Sequence, residues 1–316
     1  MTEIHAFDAT ALKGLRFSGH ETFACRYAWL PKAYRGLKEN PRLFADEDKA
    51  MVVLGLGKNM VKALRFWVEA MGVAEMDRKT RALHPTPFGE QVFAKDGFDP
   101  FLEDPRTLWL LHWNLSSRHE GPLFAWRYLI GHWPMPEFTR SEALKEFQRI
   151  SDRHGLEHSE VTLAQHLDVF LHSYHSGRGG AAGVEDSLDG PLVELGLLTT
   201  VGERRAEEGR WEPVISFRRD PKPEISQPLF DHCLRDYWDR FFANEESLSF
   251  RMAAMAAASP GQVFKLPEDD MRNRLEARGS GTPRGFTYQP SAIQGLLFKQ
   301  GRAPSLAEVY GARLDA

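Results

Sequence analysis

Across residues 46–81 the apolar positions repeat with a helical period, then with a strand-like one. Asp46-Glu47-Asp48 opens a segment running to Leu56, with acids where a helix N-terminus favours them. Gly55 and Gly57 break it. A second segment spans about Asn59 to Met71, with Asn59 as the N-cap candidate. Met60, Leu64, Trp67 and Met71 fall at i, i+4, i+7 and i+11, so they form one apolar stripe. Lys58, Lys62, Arg65 and Glu69 repeat that spacing on another face. Gly72 stops the helix. Val73–Met76 and Ala82–His84 then pair as short strands around Asp77-Arg78-Lys79-Thr80, with Arg81 beside the turn. Helix, turn, basic helix and basic hairpin, in that order, describe a winged helix-turn-helix. Such a unit turns one cationic face towards DNA phosphates and base edges.

The rest of the chain alternates helical periods with short Gly/Pro-punctuated hairpins. Thr86-Pro87-Phe88-Gly89 opens a helix that packs Phe88, Val92 and Phe93 behind the hairpin. Leu102–Leu115 is a helix with Leu108, Leu111 and Leu115 inward. The aromatic stretch Pro122–Trp133 is core. Phe138-Thr139 is a short strand, followed by helices at Arg140–His154 and Ser159–Tyr174, the latter burying Val161, Ala164, Leu167 and Leu171. Ser176–Gly183 reads as a mobile loop. Leu198–Val201 and Trp211–Phe217 flank a charged turn of mixed sign, Glu203–Gly209. Asp220-Pro221-Lys222-Pro223 is the clearest linker. Beyond it come helices at Gln227–Phe242, Ser249–Ala257 and Glu268–Arg278, with Val263–Leu266 extended. The expected fold is therefore mainly α with short β-hairpins (α+β). An N-terminal winged helix-turn-helix is followed by one or two winged-helix-like helical units. The expected domains are 1–100 (DNA-binding), 101–220 (central, winged-helix-like) and 221–316 (C-terminal, helical).

Charge sharpens the picture. The 316-residue chain carries a formal charge of −4. Between Leu12 and Arg81, however, 14 Lys/Arg face eight Asp/Glu. A basic region on an acidic protein points to one localised polyanion site and not to a general cationic coat. At 42% hydrophobic and 11% aromatic residues the chain is globular, not disordered. Two cysteines, Cys25 and Cys233, without metal spacing, fit a reducing, cytoplasmic location. Met1–Thr10 lacks the basic and apolar regions of a signal peptide, and no apolar run approaches membrane-spanning length, so no membrane is expected.

Candidate chemistry centres on Phe17-Ser18-Gly19-His20-Glu21-Thr22-Phe23. His20 and Glu21 have the side chains for proton transfer or metal binding, and Arg26 and Lys32 follow closely as phosphate-holding cations. The competing reading is structural, since a His and a Glu in a glycine-containing turn often cap helices. Position 24 is Ala, so the zinc-protease pattern fails. His154, His158, His166, His172 and His175 cluster in sequence. A polar helix surface explains them more simply than a metal site. Gly55-Leu56-Gly57-Lys58 lacks the first glycine and the Ser/Thr of a phosphate loop. No common nuclease signature stands out.

Several of these motifs carry a resemblance. Phe17–Phe23 with Arg26 and Trp29-Leu30-Pro31-Lys32, Val53-Leu54-Gly55-Leu56-Gly57-Lys58-Asn59-Met60-Val61 and Leu64-Arg65-Phe66-Trp67 are similar to a bacterial family known only as a domain of unknown function. Leu83-His84-Pro85-Thr86-Pro87-Phe88-Gly89 and Ser259-Pro260-Gly261-Gln262-Val263-Phe264-Lys265-Leu266 match it too. Members are encoded beside DNA phosphorothioation genes. The chain looks like the SspB-type branch, the nicking subunits of the single-stranded phosphorothioation system. The resemblance implies double-stranded DNA as partner, together with an SspC-type ATPase and an SspD-type sulfurtransferase. It supplies no catalytic motif to carry over residue by residue.

Two functions follow as expectations. In the first, the protein nicks one DNA strand so that partners can insert sulfur; a divalent metal, Mg or Mn, would then stabilise charge on the phosphate. In the second, it is a non-catalytic sequence reader or transcriptional regulator and needs no cofactor. The DNA-binding residues are expected to be Lys58, Asn59, Lys62, Arg65, Arg78, Lys79 and Arg81, with Arg26 and Lys32. The oligomeric state is open, a homo-oligomer included.

Overall fold

Helices with one apolar face must bury it, and short hairpins need a helix to lie on. The computed structural model describes residues 14–175, 190–207, 209–277, 283–291 and 294–311. These form an α+β fold in which helices dominate and three small antiparallel sheets appear among the described residues. The chain divides into two compact units, neither continuous in sequence. The first holds Arg16–Leu115 and Pro134–Arg218. The second holds Ser116–Trp133 and the chain from Arg219 on. The expected break near residue 100 falls inside the first unit. The Pro-rich linker lies where the chain passes into the second, yet Lys222 is fully buried and donates to the Asp220 carbonyl at 2.8 Å.

In the first unit, α1 (Trp29–Glu39) buries Trp29, Leu30, Ala33, Tyr34 and Leu37 along one face. Helix α2 (Glu47–Leu54) is capped by the Asp46 carboxylate, which accepts from the Lys49 amide, and ends at Gly55 in the left-handed region, φ 63°. Helix α3 (Lys58–Ala70) follows. Its buried face is broader than the expected stripe: Val61, Ala63, Phe66, Val68 and Ala70 join Leu64 and Trp67, while Met60 is only half-buried. Asn59 is not the N-cap. Gly57 takes that position in extended conformation, so the cap lies two residues earlier. Strands β1 (Ala74–Met76) and β2 (Leu83–Pro85) pair antiparallel. Helix α4 (Pro87–Phe93) is capped by Thr86, whose hydroxyl donates to the Gly72 carbonyl at 2.6 Å. Helix α5 (Pro105–Ser116) is apolar nearly all round and buries Leu108, Trp109, Leu110, Leu111, Trp113 and Leu115, as a central helix must.

The remainder of this unit packs two helices with a three-stranded sheet ordered β3-β5-β4, from β3 (Glu137–Phe138), β4 (Leu198–Arg205) and β5 (Trp211–Phe217). Helix α6 (Arg140–Arg153) opens with a capping box between Thr139 and Glu142. Helix α7 (Glu160–Tyr174) is rotated from the expected face. Leu163, His166, Leu167, Phe170 and Tyr174 point inward, and Val161 is 64% exposed. Leu167 and Leu171 of the expected face stay buried, so spacing alone cannot choose; burial of Phe170 and Tyr174 does. Glu203–Arg205 are strand and not turn, because Arg204 bonds Glu137 and Glu142 and holds the hairpin end in register.

In the second unit, Trp126–Ile130 forms a π-helical turn. Helix α8 (Gln227–Phe241) belongs with a sheet ordered β6-β8-β7, from β6 (Ser247–Ser249), β7 (Phe286–Gln289) and β8 (Leu296–Lys299). This sheet corrects the helical expectation for the region: its strands are three or four residues long, too short to show an alternating period. Helix α9 (Phe250–Met255) follows β6 directly. Val263–Leu266 is not extended either. Ser259 caps the short helix α10 (Pro260–Val263), and Lys265 turns the chain back with φ 52° before α11 (Glu268–Glu276). The Ser176–Gly183 loop and Arg278 lie outside the described residues.

Candidate nucleic-acid interface

The turn between α2 and α3 is pinned from α1. Lys32 Nζ donates to the Leu54 carbonyl at 3.0 Å, satisfying one of the open acceptors at the end of α2. Lys32 thus ties α1 to the end of α2. The outer edge of α3 carries the exposed Lys58 and Asn59 and the half-buried Lys62 and Arg65. Lys58 and Lys62 both reach Glu47, at 3.1 and 3.9 Å, and Arg65 reaches Glu69 at 3.5 Å. Such surface pairs are worth roughly 0–1 kcal/mol, so a phosphate can displace them.

The hairpin differs. The Asp77 carboxylate accepts from the Lys79 amide at 2.7 Å and from the Thr80 amide at 3.4 Å, which closes the turn. The same bonds hold its carboxyl below the usual range. Arg81 adopts φ 59°. Arg78, Lys79 and Arg81 are exposed, and among the described residues no carboxylate pairs with any of them.

The Phe17–Phe23 turn lies in the first unit against α3 and α7. The Phe17 ring sits 4.0 Å from that of His158. Gly19, at φ 111°, lies so close to Phe66 that a Cβ would meet the ring at 2.7 Å. His20 is 3% exposed; its Nε2 lies 3.0 Å from His166 Nδ1, and the rings stack. Its Nδ1 is buried without a hydrogen-bond partner among the described residues. Burial, then the nearby Arg16 guanidinium, pushes the His20 pKa down to about 4. His166 is held well below its usual range by burial, then by His20 and His158. The Trp67 indole donates to the Phe23 carbonyl at 2.9 Å, tying the turn to α3.

His20 and Glu21 are therefore not brought together. His20 points inward, while Glu21 is exposed with φ 49°. Arg26 lies over Trp29 at 6.0 Å. Sequence spacing does not name His166 as the partner of His20. The available signal is its place three residues after Leu163 and four before Phe170, on a buried helix face. Of the other clustered histidines, His172 is exposed, and His175 Nε2 lies 2.8 Å from Thr200 Oγ1. Among the described residues no group of three or more His, Cys, Asp or Glu side chains is arranged to hold a metal ion. No described helix is long and apolar enough to cross a membrane.

Fold and surface define a helix-dominated α+β protein with a cationic helix edge and hairpin in its first unit. The chain belongs to the family described as a protein of unknown function, DUF4007, whose model matches residues 17–305. It is similar in structure to a magnesium ion-bound SspB crystal structure, with TM-score 0.81 and 28% identity over 97% of this chain and 92% of that one. A second SspB crystal structure matches with TM-score 0.79 and 27% identity over 96% and 92%. The resemblance to SspB-type proteins read from the motifs thus extends through the fold. No curated protein matches. The magnesium of the first structure is compatible with a divalent ion in this type of protein. The described side chains here do not form a ready cage for one.

Proposed function

We propose that this protein is the DNA-binding subunit of a bacterial phosphorothioate modification and defence system, and that it nicks one strand so that partners can insert sulfur. The similarity to SspB supports the phosphorothioation system. DNA engagement is carried by one observation: three hairpin cations, Arg78, Lys79 and Arg81, stand exposed without carboxylate partners among the described residues. In this reading α2, α3 and β1–β2 act as a winged helix-turn-helix. The hairpin grips phosphates, and Lys58, Lys62 and Arg65 exchange their weak surface pairs for the duplex, with Asn59 beside them. An SspC-type ATPase and an SspD-type sulfurtransferase would act on the opened strand.

The rival reading, a non-catalytic DNA reader that recruits the modifying enzymes, is favoured by the burial of His20 within the Phe17–Phe23 turn. Supercoiled plasmid incubated with the purified protein, with and without Mg²⁺ or Mn²⁺, separates the two. Nicked circles that vanish in Glu21→Gln would support cleavage by this chain. Duplex binding without nicked circles under any condition would leave the reader.

A further inference from the structure

The second unit buries a guanidinium that its own packing does not satisfy. Arg127 is 9% exposed, and its Nε and Nη1 have no hydrogen-bond partner among the described residues. No carboxylate among the described residues pairs with it either. A buried charged donor left unpaired is costly, so a fold that keeps one has a reason to. Arg127 sits in the π-helical turn Trp126–Ile130, a rare conformation found often at functional sites. That turn is braced. The His132 and Trp133 amides both donate to the Tyr128 carbonyl at 2.8 Å, and the buried Lys265 ammonium donates to the Ile130 carbonyl at 2.6 Å.

Further basic side chains lie about the Phe241 ring. The Arg127 guanidinium lies 5.5 Å from the centre of the Phe241 ring, and the exposed His119 ring meets Phe241 edge-on at 4.9 Å. Arg240, one residue earlier on α8, reaches Ser117 Oγ at 3.3 Å and is paired with Asp236 at 2.8 Å. The nearby His132 is held low by burial first and then by the Arg127 guanidinium.

We propose that Arg127 anchors a phosphate-binding site in the second unit, with His119 and Arg240 as its more accessible members, and that it takes the terminal 5′-phosphate of a single nucleic-acid strand. The nucleic-acid source rests on the function proposed above; the phosphate site does not. It is separate from the cations of α3 and the hairpin.

Thermal melting of the full chain and anisotropy titrations test it together. The probes are inorganic phosphate, a single-stranded oligonucleotide with a 5′-phosphate, the same strand without it, and a duplex. The wild type should melt higher in inorganic phosphate and bind the phosphorylated strand about tenfold more tightly than the unphosphorylated one, as charge-assisted hydrogen bonds allow. Arg127→Met should lose both effects and keep duplex binding. Should Arg127→Met fail to fold, Arg240→Gln and His119→Ala decide instead: each should weaken binding of the phosphorylated strand. Undiminished phosphate response in the folded variants, or no response of the wild type to inorganic phosphate, overturns the site; equal binding of the two strands by the wild type overturns its nucleic-acid assignment. Stabilisation by inorganic phosphate alone overturns its nucleic-acid assignment. Loss of duplex binding while the phosphorylated strand still binds would count against the proposed function and leave the site standing.

Discussion

His20 and His166 meet at 3.0 Å in apolar surroundings, so one imidazole donates and the other accepts. Both are held neutral by burial. An unfolded histidine takes its proton near pH 6.5, whereas folded His20 resists until about 4. Above about pH 6.5 neither state is charged at this residue and stability is unaffected. As the pH falls below that value, the unfolded chain gains a proton that the folded one refuses, so stability drops until about pH 4. For His20 the loss is on the order of 3 kcal/mol, and His166 adds to it with the same sign. Melting temperatures between about pH 7.5 and 4.5 should fall more steeply for the wild type than for His166→Leu; equal slopes would show that the pair is not the cause. Gly89 makes a plainer case. A Cβ there would meet the Val73 carbonyl oxygen at 2.1 Å, so Gly89→Ala should displace α4 from the start of β1 and lower the melting temperature markedly. An unchanged melt would show that the backbone yields.

At the scale of the element, α3 has two separable jobs. Leu64 is fully buried, so Leu64→Ala should cost about 2–5 kcal/mol in denaturant unfolding. Lys62 and Arg65 are partly exposed and hold only weak pairs. Their double replacement by alanine should leave the unfolding midpoint nearly unchanged. In gel shifts it should weaken duplex binding and reduce the salt slope by roughly 1 for each phosphate interaction removed. Duplex affinity identical to wild type across a salt series would remove α3 from the interface. The same series on Arg78→Ala with Lys79→Ala reports on the hairpin alone.

At the scale of the molecule, the two units interleave along the chain. A cut at Asp220–Pro223 therefore does not release a complete C-terminal unit. The fragment from Arg219 on lacks Ser116–Trp133, and with it the Ile130 carbonyl that receives the buried Lys265 ammonium. Leaving that donor unpaired is costly, as is exposing the aromatic surface that packs there. The fragment should show no cooperative thermal transition on its own. A sharp melt would mean that the Trp126–Ile130 turn is dispensable to it.

Local signals carry far in this chain. Residue spacing and punctuation locate α2, α3 and the β1–β2 hairpin, because glycines, acidic caps and a 3.6-residue period act within a few positions. The Asp46, Thr86, Thr139 and Ser159 caps lie where their side chains can bond the next turn. The sites of exposed positive charge are legible for the same reason. What needs the tertiary structure are the choices between partners distant in sequence. The buried face of α7 is set by what lies against Phe170 and Tyr174. The pairing of β6 with β8 joins residues about fifty apart. His20 meets His166 across 146 positions, turning a candidate acid–base residue into a buried imidazole pair. Arg127 becomes informative only once its neighbours are known to hold no carboxylate for it among the described residues. Periodicity states that a side chain is buried or exposed; only packing states against what.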